Sequence, residues 1–166
     1  MRWDEPKRLN WEGAESLTDE ELDRTWDGQL ISGELPRGIS IVVFRRFPKF
    51  SVLLLHRAHQ GPMYEGDWAW TPPSGARHPG EPVIEAARRE LYEEAGLLLR
   101  VRATALGTPE WAVFLAEATA DDRVSLVDPE HDRFVWVESE EAIRRVEPAV
   151  VKESLERTLK AVLAQQ

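Results

Sequence analysis

The sequence predicts a layered α/β or α+β domain, and the order of its elements carries that prediction. Runs rich in β-branched and other apolar residues, typical of strands, lie in both halves of the chain, at 39–44, 51–56, 111–116 and 133–137. Residues 82–95 predict a helix between them, because Pro82 is tolerated at a first helical position and Gly96 suits a C-terminal cap. Two further helices are predicted at 139–145 and 148–163. Strands, a central helix, further strands and terminal helices are the order of a layered domain.

The composition indicates an acidic protein and excludes several classes of function. The 166 residues include 21 Lys and Arg and 30 Asp and Glu, a formal charge of −9, so we expect no nucleic-acid partner. The absence of cysteine excludes disulfides and thiolate metal ligands. No segment approaches the ~18 apolar residues of a membrane span, and the N-terminus lacks the apolar core of a secretory signal. We therefore expect a cytoplasmic protein without membrane contact.

Residues 1–36 differ from residues 37–166, which hold the predicted strands and most of the helices. A capping-box pattern begins at Thr18 and predicts one short helix. Its apolar stripe would be formed by Leu22, Trp26 and Leu30. The segment is too small to fold by itself. We expect an N-terminal arm packed on the main domain or on a second subunit, so a homodimer is one expectation.

Three carboxylates share one face of the central predicted helix. Glu90, Glu93 and Glu94 are spaced i, i+3 and i+4. They border a predicted core stripe of Ile84, Ala87, Leu91 and Ala95. Their mutual repulsion and their place near the helix C-terminus are both unfavourable, and a bound divalent cation would reverse that cost. Oxygen ligands suit Mg²⁺ or Mn²⁺. On the helix alone, however, a solvated acidic face is the commoner explanation.

The longer pattern around this helix favours the metal site. Residues 75–97 read Gly, five residues, Glu, seven residues, then Arg-Glu-apolar-x-Glu-Glu-x-Gly-apolar, without a gap. This pattern resembles the box of the Nudix hydrolases. The resemblance implies an α/β/α sandwich with a mixed β-sheet. It also implies metal-dependent hydrolysis of a phosphoanhydride bond in a small substrate built on a nucleoside diphosphate.

The resemblance also implies roles for the residues of the box. Glu93 and Glu94 match the principal metal ligands, and Glu90 matches a ligand or the group that takes a proton from the attacking water. Arg89 matches the residue that orients and neutralises these carboxylates, and Glu81 its structural partner. Gly75 and Gly96 are expected to support the site structurally.

Two further ligands are expected outside the conserved positions of the box. Ser74 stands where the family often has a glycine whose backbone carbonyl binds metal, although a left-handed backbone there would suit serine less well. Glu130, just before the strand at 133–137, is our candidate for an additional carboxylate. Asp128 and Asp132 compete with it, and a solvated turn is the alternative explanation.

The box does not identify the substrate, which depends on residues outside it. Arg57, Tyr64 and Trp68 are candidate substrate-binding residues, and Trp111 and Trp136 could also stack on a base. The candidate substrates are nucleoside triphosphates, dinucleoside polyphosphates and nucleotide sugars, and the sequence does not choose among them. The alternative function is a non-catalytic nucleotide-binding or sensor module on the same fold. The intact carboxylates, and the lack of a helix-turn-helix pattern in residues 1–36, favour the enzyme.

Overall fold

A mixed β-sheet forms the centre of this computed structural model, which describes residues 22–25 and 27–165. Its seven strands in the described residues are Gly38–Arg45 (β1), Ser51–Arg57 (β2), Trp70–Thr71 (β3), Ser74–Ala76 (β4), Val101–Ala103 (β5), Trp111–Ala118 (β6) and His131–Val137 (β7). The main order is β3-β2-β1-β6-β5, with β4 paired to β1 and β7 paired to β2. The β1–β6 pair is parallel and the other pairs are antiparallel.

Three helices cover the two faces of the sheet. Helix α1 (Val83–Ala95) packs on the face that carries Ile39 and Ile41 of β1. Helices α2 (Ser139–Arg145) and α3 (Ala149–Leu163) pack on the opposite face, with Val42 and Phe44. Successive residues of a strand point to opposite faces, so the apolar run in β1 supplies both cores. The predicted α/β/α sandwich with a mixed sheet is confirmed.

Helix α1 has the predicted boundaries, but it is rotated about its axis relative to the predicted core stripe. Pro82 precedes it, and Gly96 ends it with a left-handed φ of 68°. Ile84, predicted to lie in the core, is 37% exposed. The buried face instead includes Glu90 and Glu94, which leaves Ile84 at its edge. This rotation places the carboxylates of Glu90 and Glu94 on the buried face of α1, which packs against the sheet.

Two short strands depart from the prediction. The sequence Pro-Pro-Ser-Gly at 72–75 favours a break in regular structure, but Ser74 and Gly75 lie in β4, opposite Ser40 and Ile39 of β1. Pairing with a long neighbouring strand overrides the local preference of this Pro- and Gly-containing segment. Strand β5 was not predicted, because three residues are too few to show a period.

The described part of the N-terminal arm is a hairpin and not the predicted helix. Arg24 and Leu30 form an isolated antiparallel bridge, and Gly28 has a φ of 86° at the turn between them. An Asp-Gly pair favours such a turn. This turn preference outweighs the helical preference that the spacing of the apolar residues indicated. Residues 1–21 and Trp26, which include the capping-box pattern, lie outside the described residues.

This N-terminal hairpin (residues 23–31) is attached to the main domain by polar contacts. The buried Arg37 donates from Nη2 to Asp23 Oδ2 at 2.9 Å. Immediately after the hairpin, the Ser32 backbone N–H donates to the Arg77 carbonyl at 2.7 Å. Ile31 packs into a small apolar cluster with Ala76, Trp68 and Trp111. The hairpin is thereby held against the same region as β4.

Candidate active site

A polar cleft of about 310 Å³ opens beside the C-terminal half of α1. Four parts of the chain form its walls: α1, the loop before α1, the loop before β7 and the N-terminal hairpin. The lining residues are Thr25, Asp27, Gln29, His78, Arg89, Glu90, Glu93, Asp128 and Glu130. The structure therefore brings Glu130 to the carboxylates of the helix, as we expected for an additional acidic residue.

Strand β4 explains how Glu90 and Glu94 come to be buried. A Cβ atom at Gly75 would lie 1.8 Å from Glu90 Cδ, so only glycine lets this carboxylate pack against the strand. The Ser74 backbone N–H donates to Glu94 Oε1 at 3.0 Å. Ser74 itself lies in the strand and has no positive φ, so the left-handed strain considered for it does not arise.

Arg89 joins the acidic residues into one network. Its Nε and Nη2 donate to the two carboxylate oxygens of Glu81 at 2.8 and 3.0 Å. Its Nη1 donates to Glu90 Oε1 at 2.9 Å and to Glu93 Oε2 at 3.2 Å. A further bond from Nη2 reaches the Ala76 carbonyl at 2.9 Å. All five donors of a guanidinium can be used in this way because they radiate from a rigid plane.

The network divides the carboxyl groups by their pKa values. Burial acts to raise the pKa of Glu81, but hydrogen bonds from Arg89 and the His78 backbone outweigh it and lower that pKa. Burial raises the pKa of Glu90 to about 8, against the opposing charge of Arg89. Burial and the neighbouring carboxylates Glu130 and Glu90 raise the pKa of Glu94. The pKa of Glu130 is also raised, first by burial.

The inner end of this acidic cluster fits a divalent ion. Glu94 is 1% exposed, and its Oε2 has no hydrogen-bond partner in the described part of the chain. One ligand atom each of Glu94, Glu130 and His131 lie within 4.8 Å of one another. Carboxylate oxygens are suitable ligands for hard divalent cations. Glu93 lies outside this group, at the rim of the cleft, with a side chain 48% exposed.

Sequence analysis missed His131. Neighbours in a regular strand point to opposite faces, so Glu130 and His131 are not expected on one side. Glu130, however, lies in the turn that precedes β7, so this alternation does not apply to the pair. Burial, with the nearby charge of Arg57, lowers the pKa of His131 to about 3, so its ring is neutral.

The alternative ligands of the same loop lie in different places. The Asp128 carboxylate accepts the Glu130 backbone N–H at 2.8 Å and lines the cleft. Asp132 instead accepts a contact from His56 Nδ1 at 2.8 Å. The Asp132 carboxylate is therefore bound to the buried His56 ring and does not belong to the acidic cluster of the cleft.

The predicted substrate-binding residues Arg57, Tyr64 and Trp68 line one small pocket. Arg57 is only 8% exposed, and its charge lowers the pKa of both Glu130 and His131. The Tyr64 hydroxyl donates to the Asp67 carbonyl at 3.0 Å. Arg57 thus lies next to the acidic cluster, while the other two lie farther along the loop.

Trp68 also borders a larger, mainly apolar cavity of about 430 Å³ between the sheet and α3. Trp111 and Ser74 line the same cavity. Trp68 has a φ of 67°, an unfavourable backbone for a bulky residue, and its N–H donates to the Glu147 carbonyl at 2.7 Å. Ser74 thus lines this cavity and, through its backbone N–H, also binds Glu94. Trp136 does not line it and packs instead against Arg45.

Known proteins share the fold of this domain. The NUDIX domain family matches residues 34–159. A Caenorhabditis elegans Ap4A hydrolase in a binary complex is 31% identical, with 78% of this chain and 100% of that chain covered and a TM-score of 0.63. A Mycobacterium smegmatis Nudix hydrolase is 20% identical, covering 88% and 96%, with a TM-score of 0.65. An Escherichia coli dihydroneopterin triphosphate pyrophosphohydrolase is 19% identical, covering 74% and 93%, with a TM-score of 0.58.

The class of protein that the domain match and the structural likenesses define is a pyrophosphohydrolase. The chain belongs to the Nudix hydrolase family, which uses divalent metals and binds small nucleotide substrates. The resemblance seen in residues 75–97 is therefore confirmed. None of the described helices combines the length and apolar character needed to cross a membrane.

Proposed function

We propose that this protein hydrolyses a phosphoanhydride bond of a dinucleoside polyphosphate such as Ap4A, with Mg²⁺ or Mn²⁺ as cofactor. The observation that carries the proposal is that Ser74 donates its backbone N–H to Glu94 of the acidic cluster and also lines the apolar, tryptophan-lined cavity. A polyphosphate bound through metal ions requires the acidic cluster, and a nucleobase requires the apolar cavity. The 31% identity to an Ap4A hydrolase supports this substrate class over nucleoside triphosphates and nucleotide sugars.

The proposed metal ligands are Glu90, Glu93, Glu94 and Glu130, together with the Ser74 carbonyl. When bound, divalent ions offset the charge of the phosphate oxygens and acidify a water molecule. Without cations, a protein of charge −9 would repel a polyphosphate. Glu90 is also the residue that we assign to accept a proton from the attacking water, because Arg89 holds its buried carboxylate beside Glu93.

Arg89 and Glu81 are proposed as positioning residues. Arg89 donates to Glu90 and Glu93 together, and this fixes the carboxylates relative to one another before any ion binds. Glu81 holds the guanidinium through two bonds on its other side. Gly75 and Gly96 support the same helix, by admitting Glu90 and by ending α1 after Ala95.

The larger cavity is proposed to hold a base. Trp68 and Trp111 line it, and stacking of a base on an aromatic ring is worth ~1–3 kcal/mol in nucleic-acid binders. The strained backbone of Trp68 is consistent with a functional position. Arg57 and Tyr64 are proposed to contact the phosphate chain or the second nucleoside, from the small pocket beside Trp68.

The test is hydrolysis of a panel of nucleoside triphosphates, dinucleoside polyphosphates and nucleotide sugars, with Mg²⁺, Mn²⁺ or chelator. We expect cleavage of dinucleoside polyphosphates that needs the metal. Glu93→Gln should lose most of the activity, on the order of 100-fold or more, because it removes a charged ligand. Glu85→Gln is the matched control, since Glu85 lies on the same helix and, within residues 22–25 and 27–165, forms a surface ion pair with Arg88.

Each outcome of this panel decides between the candidate functions. Wild-type turnover by Glu93→Gln with saturating Mg²⁺ would refute the ligand assignment. Ligand binding without hydrolysis of any compound, measured by thermal shift, would support the sensor module instead. Preferred cleavage of nucleotide sugars or triphosphates would refute the substrate class but not the reaction.

Cytoplasmic location and a homodimer stay predictions. The N-terminal hairpin is held on its own main domain through Asp23 and Arg37, which favours a supporting role within one subunit. Size-exclusion chromatography of the full chain and of a chain lacking residues 1–30 tests the dimer. An unchanged oligomer in the shorter chain would exclude the arm as the dimer contact.

A further inference from the structure

Two buried polar atoms at the inner end of the cleft have no hydrogen-bond partner in the described residues. One is Nδ1 of His131, a residue 6% exposed, and the other is Oε2 of Glu94, a residue 1% exposed. Buried polar groups are nearly always paired, since an unpaired one costs on the order of 1–3 kcal/mol. The two residues also have ligand atoms within 4.8 Å of each other, which indicates that a bound group lies between them.

The spacing of these atoms suits a metal ion. One ligand atom each of His131, Glu94 and Glu130 fall within 4.8 Å of one another. Ligands at about 2.1 Å from an ion lie about 3.0 Å apart when adjacent and about 4.2 Å apart when opposite. A pair of atoms at the 4.8 Å limit would have to approach by about 0.6 Å to become opposite ligands and by up to about 1.8 Å to become adjacent ones, so binding requires small side-chain rotations.

The chemistry of the third atom distinguishes this group from an all-oxygen site. The third ligand atom belongs to an imidazole ring, whose unprotonated nitrogen binds metal ions. Imidazole nitrogen is a ligand of the first-row transition ions, whereas Mg²⁺ prefers oxygen. Arg57 lies close to this group and offsets part of its negative charge, which leaves the two carboxylates to attract the ion.

We propose that His131 supplies a nitrogen ligand to a divalent ion held by Glu94 and Glu130, and that this ligand favours a transition-series ion over Mg²⁺. The inference deepens the proposed function. It depends on that function only for the role of the ion in the reaction, and not for the identity of the ion's ligands. His131 is the first residue of β7 and Glu130 lies in the turn before it, so the alternation of a strand does not separate the two side chains.

The test uses Mn²⁺ as the probe, because its unpaired electrons report directly on bound nitrogen. Three-pulse electron spin-echo envelope modulation of the full chain with one equivalent of Mn²⁺ should show ¹⁴N modulation from a coordinated imidazole. His131→Asn should abolish it and weaken Mn²⁺ binding about 10- to 100-fold, with a smaller effect on Mg²⁺. The exposed His59 provides the matched control, and His59→Asn should keep the modulation.

The wild-type spectrum alone can overturn the inference, whether or not the variant folds. Bound Mn²⁺ without ¹⁴N modulation would show that an oxygen-only site, or a buried water at His131, is correct. Modulation that persists in His131→Asn would also refute it. Failure here with intact hydrolysis leaves the proposed function standing. Failure of hydrolysis with the nitrogen signal present removes the proposed function and keeps the metal ligand.

Discussion

Arg89 shows how one side chain organises several acidic groups. It faces Glu81 on one side and Glu90 and Glu93 on the other, with four of its hydrogen bonds made to carboxylate oxygens. Burial disfavours its charge, but these contacts outweigh burial and raise its pKa. A guanidinium is needed because its planar fork binds one carboxylate bidentately and still reaches two others.

Arg89→Lys should therefore be damaging although it keeps the charge. An ammonium cannot reproduce the bidentate pair, so we expect stability to fall by about 2 kcal/mol and kcat/KM by about 10- to 100-fold. Thermal unfolding and steady-state kinetics measure the two effects. Arg88→Lys is the control, since the neighbouring Arg88 is exposed and forms a surface ion pair with Glu85. Equal behaviour of the two variants would contradict the positioning role.

At the scale of elements, α1 is a helix whose buried face is partly charged. Glu90 and Glu94 lie inward near the negative end of the helix dipole, where carboxylates are unfavourable. The strand β4 compensates in part, with Gly75 admitting one carboxylate and the Ser74 N–H binding the other. The rest of this cost is what a bound cation would offset.

The N-terminal hairpin is the second element at the cleft, and most of it precedes the residues that match the family. Its turn is ordered by the Thr25 hydroxyl, which accepts the Gln29 backbone N–H at 3.0 Å and also pairs with Asp27. Asp27 and Gln29 line the cleft opposite the helix carboxylates. The hairpin thus adds polar groups to the wall of the proposed substrate site.

Gln29→Ala should weaken substrate binding more than it slows the reaction. Loss of about one neutral hydrogen bond corresponds to a 3- to 10-fold rise in KM, with kcat changed by less than about twofold. Steady-state kinetics with the best substrate of the panel measure both constants. Gln165→Ala is the control, because Gln165 is exposed just after α3 and far along the chain from the cleft. A fall in kcat alone would refute a binding role.

At the scale of the whole molecule, the acidic cluster links stability to pH and to metal. Glu90 has a pKa of about 8 in the folded state and an ordinary value of 4.5. The folded protein therefore keeps a proton that the unfolded chain releases between these values. The unfolded state binds fewer protons in that window, so the free energy of unfolding falls as the pH rises through it. Glu94 and Glu130 shift in the same direction.

The melting temperature in chelator should accordingly fall as pH is raised from 5 to 8, about the interval between the two values. Glu90→Gln should flatten this slope, because the amide cannot titrate. Divalent metal binds the ionised carboxylates, so its stabilising effect should grow with pH. Calorimetry with and without Mn²⁺ measures both trends, and Glu85→Gln should keep the wild-type slope. A slope that Glu90→Gln leaves unchanged would contradict the assignment to Glu90.

The sequence by itself determined the class of the fold, the family and the extent of α1. These depend on local signals: strand runs that alternate between two cores, Pro82 and Gly96 at the helix ends, and the spacing of residues 75–97. Each of these signals depends on residues that are close together in the chain, so it can be detected without knowledge of tertiary contacts. For the same reason the short β5 was missed, and the spacing of Leu22 and Leu30 misled the prediction for the arm.

Only the tertiary structure decided how these parts meet. The burial of Glu94 beside β4, the approach of Glu130 and His131 from β7, and the hairpin wall all join residues far apart in the chain. Each depends on strand register and on the roll of α1 about its axis, which are set by packing of the whole domain. A shift of one residue in register would turn His131 away from the cleft, and no pattern in the sequence records that choice.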